Sequence, residues 1–196
     1  MHSRVNCPLR ARVQMHITFA LALLLSSLQE APPLNTFRGL PSDLYGIQAP
    51  DFRARSIDGL EYRLASLRGR YVLLDFWGVG CAPCRDAMPA LEAMHQDYKD
   101  RGLVILGIDI GEDRRTVETF LKKTPASYPI VVDTAMDVAK LFHVSVVPTF
   151  ILIDPDGKIV DGRVGFVKTG PDSDANIGET ELREMLRRLP GNDLGK

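Results

Sequence analysis

The sequence predicts an α/β domain with a central mixed sheet flanked by helices. Three observations predict it. Two nearly continuous apolar runs, Tyr71–Trp77 and Leu103–Asp109, suit strands buried on both faces. Segments with apolar residues at helical spacing alternate with runs of this kind, the pattern of a sheet that is parallel in part. Finally, Thr149–Ile153 and Lys158–Val164 flank Asp154-Pro-Asp-Gly157, a strong signal for an antiparallel hairpin at one side of the sheet.

The elements follow in chain order. Phe52–Arg55 and Glu61–Leu64 read as short strands around the turn Asp58-Gly59. Gly78-Val-Gly80 ends the first long strand. Met88, Leu91, Met94 and Tyr98 then recur at helical spacing, so a helix is expected from Ala82 to about Asp100, kinked at Pro89. Val117, Phe120 and Leu121 mark a second helix, stopped before Pro125. A short strand is expected at Ile130–Val132. Thr134 with Asp137 resembles a capping box ahead of a helix carrying Val138, Leu141 and Phe142. Leu182, Met185, Leu186 and Leu189 define an amphipathic last helix, and Val167–Thr180 before it reads as a connecting loop or a contact element.

The ends of the chain differ from this domain. The first sixteen residues carry Arg4, Arg10 and Arg12 and no acid, and the apolar run Ile17–Leu28 follows. That is the layout of a secretory signal. As a helix the run would span about 18 Å, short of a ~30 Å hydrocarbon layer, which argues against a dedicated transmembrane helix. No small-x-small pattern precedes Glu30, so both a cleaved signal and an uncleaved anchor stay open, as does a start at Met15. The expected organisation is a leader over 1–30, a linker over 31–48 with Pro32, Pro33, Gly39, Pro41 and Gly46, a domain over 49–190 and a tail over 191–196. With 196 residues, one domain plus appendages is expected. A net charge of -1 gives no electrostatic reason for a nucleic-acid partner. Three cysteines are too few for a disulfide-stapled scaffold, and Cys7 lies in the leader and would leave with it.

The remaining pair, Cys81-Ala-Pro-Cys84, sits where a central strand gives way to a helix. A thiolate is the reactive form of cysteine, and a helix N-terminus offers unpaired N–H groups and a positive dipole end to stabilise it. A thiol of pKa ~8.5 is only about 3% ionised at pH 7; lowering it to ~7 takes roughly 2 kcal/mol and makes about half of it reactive. Cys81 can then attack a partner disulfide, and Cys84, one helical turn on, can resolve the mixed disulfide. The bland alternative is half of a zinc site. Structural zinc wants four ligands, and here there is no second cysteine pair, while His2, His16, His95 and His143 are scattered. No metal site is therefore expected.

Leu74-Asp-Phe-Trp77, Cys81-Ala-Pro-Cys84-Arg-Asp-Ala-Met-Pro89, Val146-Val-Pro-Thr149 and Asp154-Pro-Asp-Gly157, in that order, resemble the thioredoxin superfamily, in particular its exported TlpA-like and ResA-like branch. The resemblance covers roughly Ala49 to Leu189, with Asp113–Val132 similar to that branch's helix-and-strand insertion. It implies a thioredoxin-like fold with an N-terminal hairpin. It implies a thiol–disulfide oxidoreductase with Cys81 attacking and Cys84 resolving, and no cofactor beyond the redox-active disulfide. Pro148 looks like the family's cis-proline, with Val147 before it pairing its backbone to a substrate strand. Asp75 matches the family's buried acid, which would take the Cys84 proton during resolution. Trp77 would pack beside the site as a substrate contact, or simply in the core. The implied partners are protein thiols and disulfides outside the cytoplasm and a membrane electron donor, for a periplasmic monomer acting as a reductant, for example in cytochrome c maturation. Two residues depart from the family: Gly80 stands where an aromatic residue usually precedes the first cysteine, and Ala87 where many members carry a glutamate. Two alternatives share the fold. A peroxiredoxin-like peroxidase would want a threonine at the position of Gly78. A copper-binding chaperone would space its cysteines by three residues and add a downstream histidine.

Overall fold

Strand alternation in Tyr71–Trp77 (β3) sets the two layers of the domain. In the computed structural model, which describes residue 40, residues 42–166 and residues 178–188, this strand is the middle of a five-stranded sheet in the order Ile130–Asp133 (β5), Leu103–Ile110 (β4), β3, Thr149–Ile153 (β6) and Ile159–Val164 (β7). Strand β4 pairs parallel to β3, and β5 parallel to β4. Strand β6 runs antiparallel to β3 on its other side, and β7 closes the hairpin. The mixed sheet is thus parallel on one side and antiparallel on the other. Four α-helices among the described residues complete it: Ala82–Tyr98 (α1), Arg114–Leu121 (α2), Asp137–Leu141 (α3) and Glu179–Met185 (α4). Helix α1 runs through Pro89 without interruption.

Because side chains alternate along a strand, β3 feeds two separate cores. Leu73 and Trp77 join Cys84, Ala87, Leu91 and Met94 of α1 and Leu182 and Met185 of α4. Val72, Leu74 and Phe76 face the other way, against Phe52, Leu64, Val138 and Phe142. There Phe142 packs edge-on to Phe52 and tilted against Phe76, with ring centroids 6.0 and 5.8 Å apart. Burying one such side chain contributes about 1.5–3 kcal/mol.

Neither edge of the sheet is left bare, which removes the hazard of unpaired strand edges. The hairpin of Arg53–Arg55 (β1) and Glu61–Arg63 (β2) leads into Ser56 and Ile57, and the Ile57 N–H donates to the Ile130 carbonyl at 2.7 Å. On the opposite edge, Gly46 donates to the Ile159 carbonyl at 2.7 Å and Ile159 to the Ile47 carbonyl at 3.0 Å. The turn-rich stretch 31–48, read as a linker, is described only at Leu40 and 42–48. There it packs on the domain, because its apolar residues Leu40 and Leu44 are buried in the second core. Gly162 makes this possible: a Cβ there would occupy the space of the Leu40 side chain.

One expected cap is corrected. Thr134 does not cap α3; its hydroxyl donates to the Glu112 carbonyl at 2.8 Å. The cap is Asp133, whose two carboxylate oxygens accept from the N–H groups of Asp137 (2.8 Å) and Ala139 (2.9 Å). Met136 enters the helix at φ 57°, the left-handed region, and so breaks the Thr134–Asp137 spacing. The expected leader with Cys7, most of the loop 167–180, Leu189 and the tail 191–196 lie outside the described residues.

Candidate active site

The site begins where β3 ends. After Trp77 the chain turns through Gly78-Val79-Gly80, closed by a hydrogen bond from the Cys81 N–H to the Gly78 carbonyl at 3.0 Å. Cys81 is the N-cap of α1, and its sulfur accepts from the Cys84 N–H at 3.2 Å. Pro83 lies in the first turn, where a missing N–H costs nothing. The two sulfurs are bonded at 2.02 Å, with Cα atoms 5.2 Å apart. Cys81 is half-buried whereas Cys84 is only 2% exposed. Only the first sulfur can be approached from outside. When the bond opens, the Cys84 N–H and the helix dipole already point at that sulfur and favour its thiolate.

Asp75, 2% exposed, lies on the same face of β3 as Leu73 and Trp77 and therefore on the side covered by α1. Burial pushes its carboxyl up to about 8. Tyr128 packs close by; burial first, then the charges of Asp75 and Glu92, raises its phenol well above the ordinary tyrosine range. Gly107 pairs with Asp75 across the sheet, and a Cβ there would lie 2.6 Å from Ile130 and 3.1 Å from Tyr128. The absence of a side chain is what lets Tyr128 close over this end.

The peptide Val147–Pro148 is cis. Thr149 pairs with Phe76, so the antiparallel register brings Pro148 level with Trp77, at the sheet end from which the Cys81 turn departs. Val147 is half-buried and packs against both cores, as Cys81 does against the first. Next to it Val146 is 57% exposed, an apolar side chain open to a partner. Trp77 is 1% exposed and packs in the first core, with Phe120 of α2 at 5.4 Å between ring centroids.

Val79 and Glu112 at the site are not legible in the sequence, and Arg85, whose charge near the sulfurs is, has an unforeseen partner. Val79 in the turn donates its N–H to Glu112 Oε1 at 3.0 Å, and its carbonyl accepts from Arg85 Nη1 at 2.7 Å. Glu112 follows β4 in the chain and Val79 follows β3, so only the parallel pairing of the two strands brings them together. The one available signal was position: Glu112 lies just past the carboxyl end of a central strand, where α/β sheets gather their functional groups. Among the described residues, no group of three or more His, Cys, Asp or Glu is placed to hold a metal ion.

What this sheet end presents is a dithiol that can open and close, one sulfur reachable and the other sealed. That defines a thiol–disulfide oxidoreductase of thioredoxin fold. The AhpC/TSA family pattern matches residues 45–161, and the chain belongs to this family within the thioredoxin superfamily. It is 36% identical over 142 residues to the thiol-disulfide oxidoreductase ResA of Geobacillus thermodenitrificans, covering 72% of this chain and 82% of that protein. With ResA of Bacillus subtilis it shares 35% over 124 residues, covering 63% and 69%. Among solved structures it is similar to a putative thiol:disulfide interchange protein DsbE from Chlorobium tepidum. That match has a TM-score of 0.64 and 28% identity, over 72% of this chain and 94% of that one. Its chemistry is thiol–disulfide exchange through Cys81 and Cys84.

Proposed function

We propose that the protein reduces disulfides of other proteins outside the cytoplasm, as a monomer recharged by a membrane dithiol donor. The observation that carries the exchange step is the asymmetry of the pair, a half-buried Cys81 capping a helix and a sealed Cys84. The Cys81 thiolate attacks one sulfur of a substrate disulfide, forming a mixed disulfide and expelling a substrate thiolate. Cys84 then loses its proton and attacks the Cys81 sulfur. The second substrate thiolate leaves, and the Cys81–Cys84 bond closes. Asp75 takes the Cys84 proton in this scheme; a carboxyl held near the working pH can both accept a proton and return it. Val147 and exposed Val146, beside Pro148, offer backbone and apolar surface to the substrate segment around its disulfide.

The outward location rests on the basic-then-apolar leader, with residues 1–30 directing export or anchoring. Among the described residues no helix is long and apolar enough to cross a membrane. The direction of electron flow is tested by equilibrating the protein with glutathione buffers and quantifying the Cys81–Cys84 disulfide. A reductant has a potential nearer about -270 mV than about -120 mV. A value at the oxidising end overturns the reductant reading and leaves the exchange chemistry standing.

A further inference from the structure

We propose that Glu112 is a positioning residue for Cys81, acting through the backbone of Val79. The inference rests on Cys81 being the attacking sulfur. The turn Gly78-Val79-Gly80 is the only covalent link between β3 and Cys81, and two of its three residues are glycines, the most freely rotating residue type. Something outside the turn must hold it. The middle residue is held at both of its peptide groups: the N–H by the Glu112 carboxylate at 3.0 Å and the carbonyl by the Arg85 guanidinium at 2.7 Å. Hydrogen bonds to charged groups are roughly twice as strong as neutral ones. Arg85 directly follows Cys84 in α1, while Glu112 comes from just past the carboxyl end of β4. The clamp therefore ties the residue two before Cys81 to the residue after Cys84 and to the neighbouring strand.

Glu112 is itself pinned. Oε2 of Glu112 is buried and finds no N–H or hydroxyl donor among the described residues. Burial, then a hydrogen bond to Glu112 and the charge of Glu112, raises the Asp109 carboxyl well above the usual carboxylate range. The Thr134 hydroxyl holds the Glu112 carbonyl. Gly78 lies against the same carboxylate: a Cβ there would be in ordinary contact, 3.4 Å from both Glu112 oxygens. The other charged groups at this place are already engaged: Asp133 by the α3 N–H groups and Arg85 by Val79. On α1 itself, Ala87 supplies no carboxyl one turn beyond Cys84.

Glu112 takes no part in the electron or proton balance of the exchange; it sets where the Cys81 sulfur stands when a substrate sulfur approaches. A displacement of about 1 Å at a reacting atom can cost on the order of 100-fold in rate. The test uses the reduced full chain and two readouts at pH 7: alkylation of Cys81 by iodoacetamide and reduction of insulin disulfides, with thermal unfolding alongside. Glu112→Ala is expected to slow both about tenfold. Glu112→Gln keeps an oxygen for the Val79 N–H and gives Asp109 an amide donor, so it restores both rates to within about twofold of the parent. Arg85→Ala, at an exposed side chain, loosens the other end of the clamp and should slow both severalfold. If Glu112→Ala does not fold, Arg85→Ala decides. A folded Glu112→Ala with parent rates, a glutamine variant no better than alanine, or an Arg85→Ala with parent rates overturns the proposal. Failure of the parent chain to reduce insulin would count against the function instead, because the alkylation comparison stands without it.

Discussion

The two faces of β3 are built from one seven-residue strand, yet they do different work. Val72, Leu74 and Phe76 point into a largely apolar core, where Phe142 packs against both Phe76 and Phe52. Leu73, Asp75 and Trp77 point under α1, where a buried carboxyl, a sealed cysteine and a Trp77 indole N–H with no partner among the described residues share the space. Burying a polar group without a partner costs free energy, so the second face gives up stability that the first does not. The difference teaches where the chemistry lies. One face holds the sheet together, and the other keeps ionisable groups beneath α1, out of water.

The comparison can be broken from its stable side first. Phe76→Ala empties the apolar core and should destabilise by about 3–5 kcal/mol, measured by denaturant unfolding, while the Cys81–Cys84 potential stays unchanged. A potential that moved with it would mean the faces are not separate. The chemical face gives a smaller effect of opposite kind. Asp75 is protonated more readily in the folded chain, about 8 against an ordinary 3.8. Between those values the native state binds the extra proton, so the contribution of Asp75 to stability is fully present below about 3.8 and is lost as pH rises toward 8, with a slope approaching about 1.4 kcal/mol per pH unit. Asp75→Asn should flatten that slope in unfolding measured from pH 4 to 8, and slow resolution of the mixed disulfide. A slope unchanged by the substitution would remove Asp75 from the account. The smallest effect is at Gly80, where a Cβ meets nothing within 4 Å and the backbone is not left-handed. Gly80→Ala should stabilise by about 0.4–1 kcal/mol, read as a rise in thermal midpoint, since nothing in the folded state requires glycine there.

Legibility in the sequence followed the same division. β3 stands at Tyr71–Trp77 as expected, because a continuous apolar run has few other homes in a small domain. The start of α1 was equally plain, since Cys81-Ala-Pro-Cys84 marks both a helix entry and a reactive pair. What the sequence hid depends on backbone detail and on contacts distant along the chain. The cap of α3 is at Asp133 rather than Thr134 because Met136 adopts a left-handed conformation that no spacing rule foresees. Trp77 sits beside the cysteines in sequence but is covered by Phe120, a residue of the inserted helix. Glu112 looked like an ordinary loop acid after Gly111; its partner Val79 is 33 positions away.

The central claim is that Cys81 alone meets the substrate and Cys84 alone releases it. The direct measurement is trapping. Reduced Cys84→Ala and Cys81→Ala chains are each mixed with oxidised insulin, and adducts are mapped by mass spectrometry. The account expects Cys84→Ala to accumulate a mixed disulfide at Cys81, and Cys81→Ala to form none at Cys84. Equal adduct formation by both variants would contradict it, because a sealed sulfur could then attack as well as an open one.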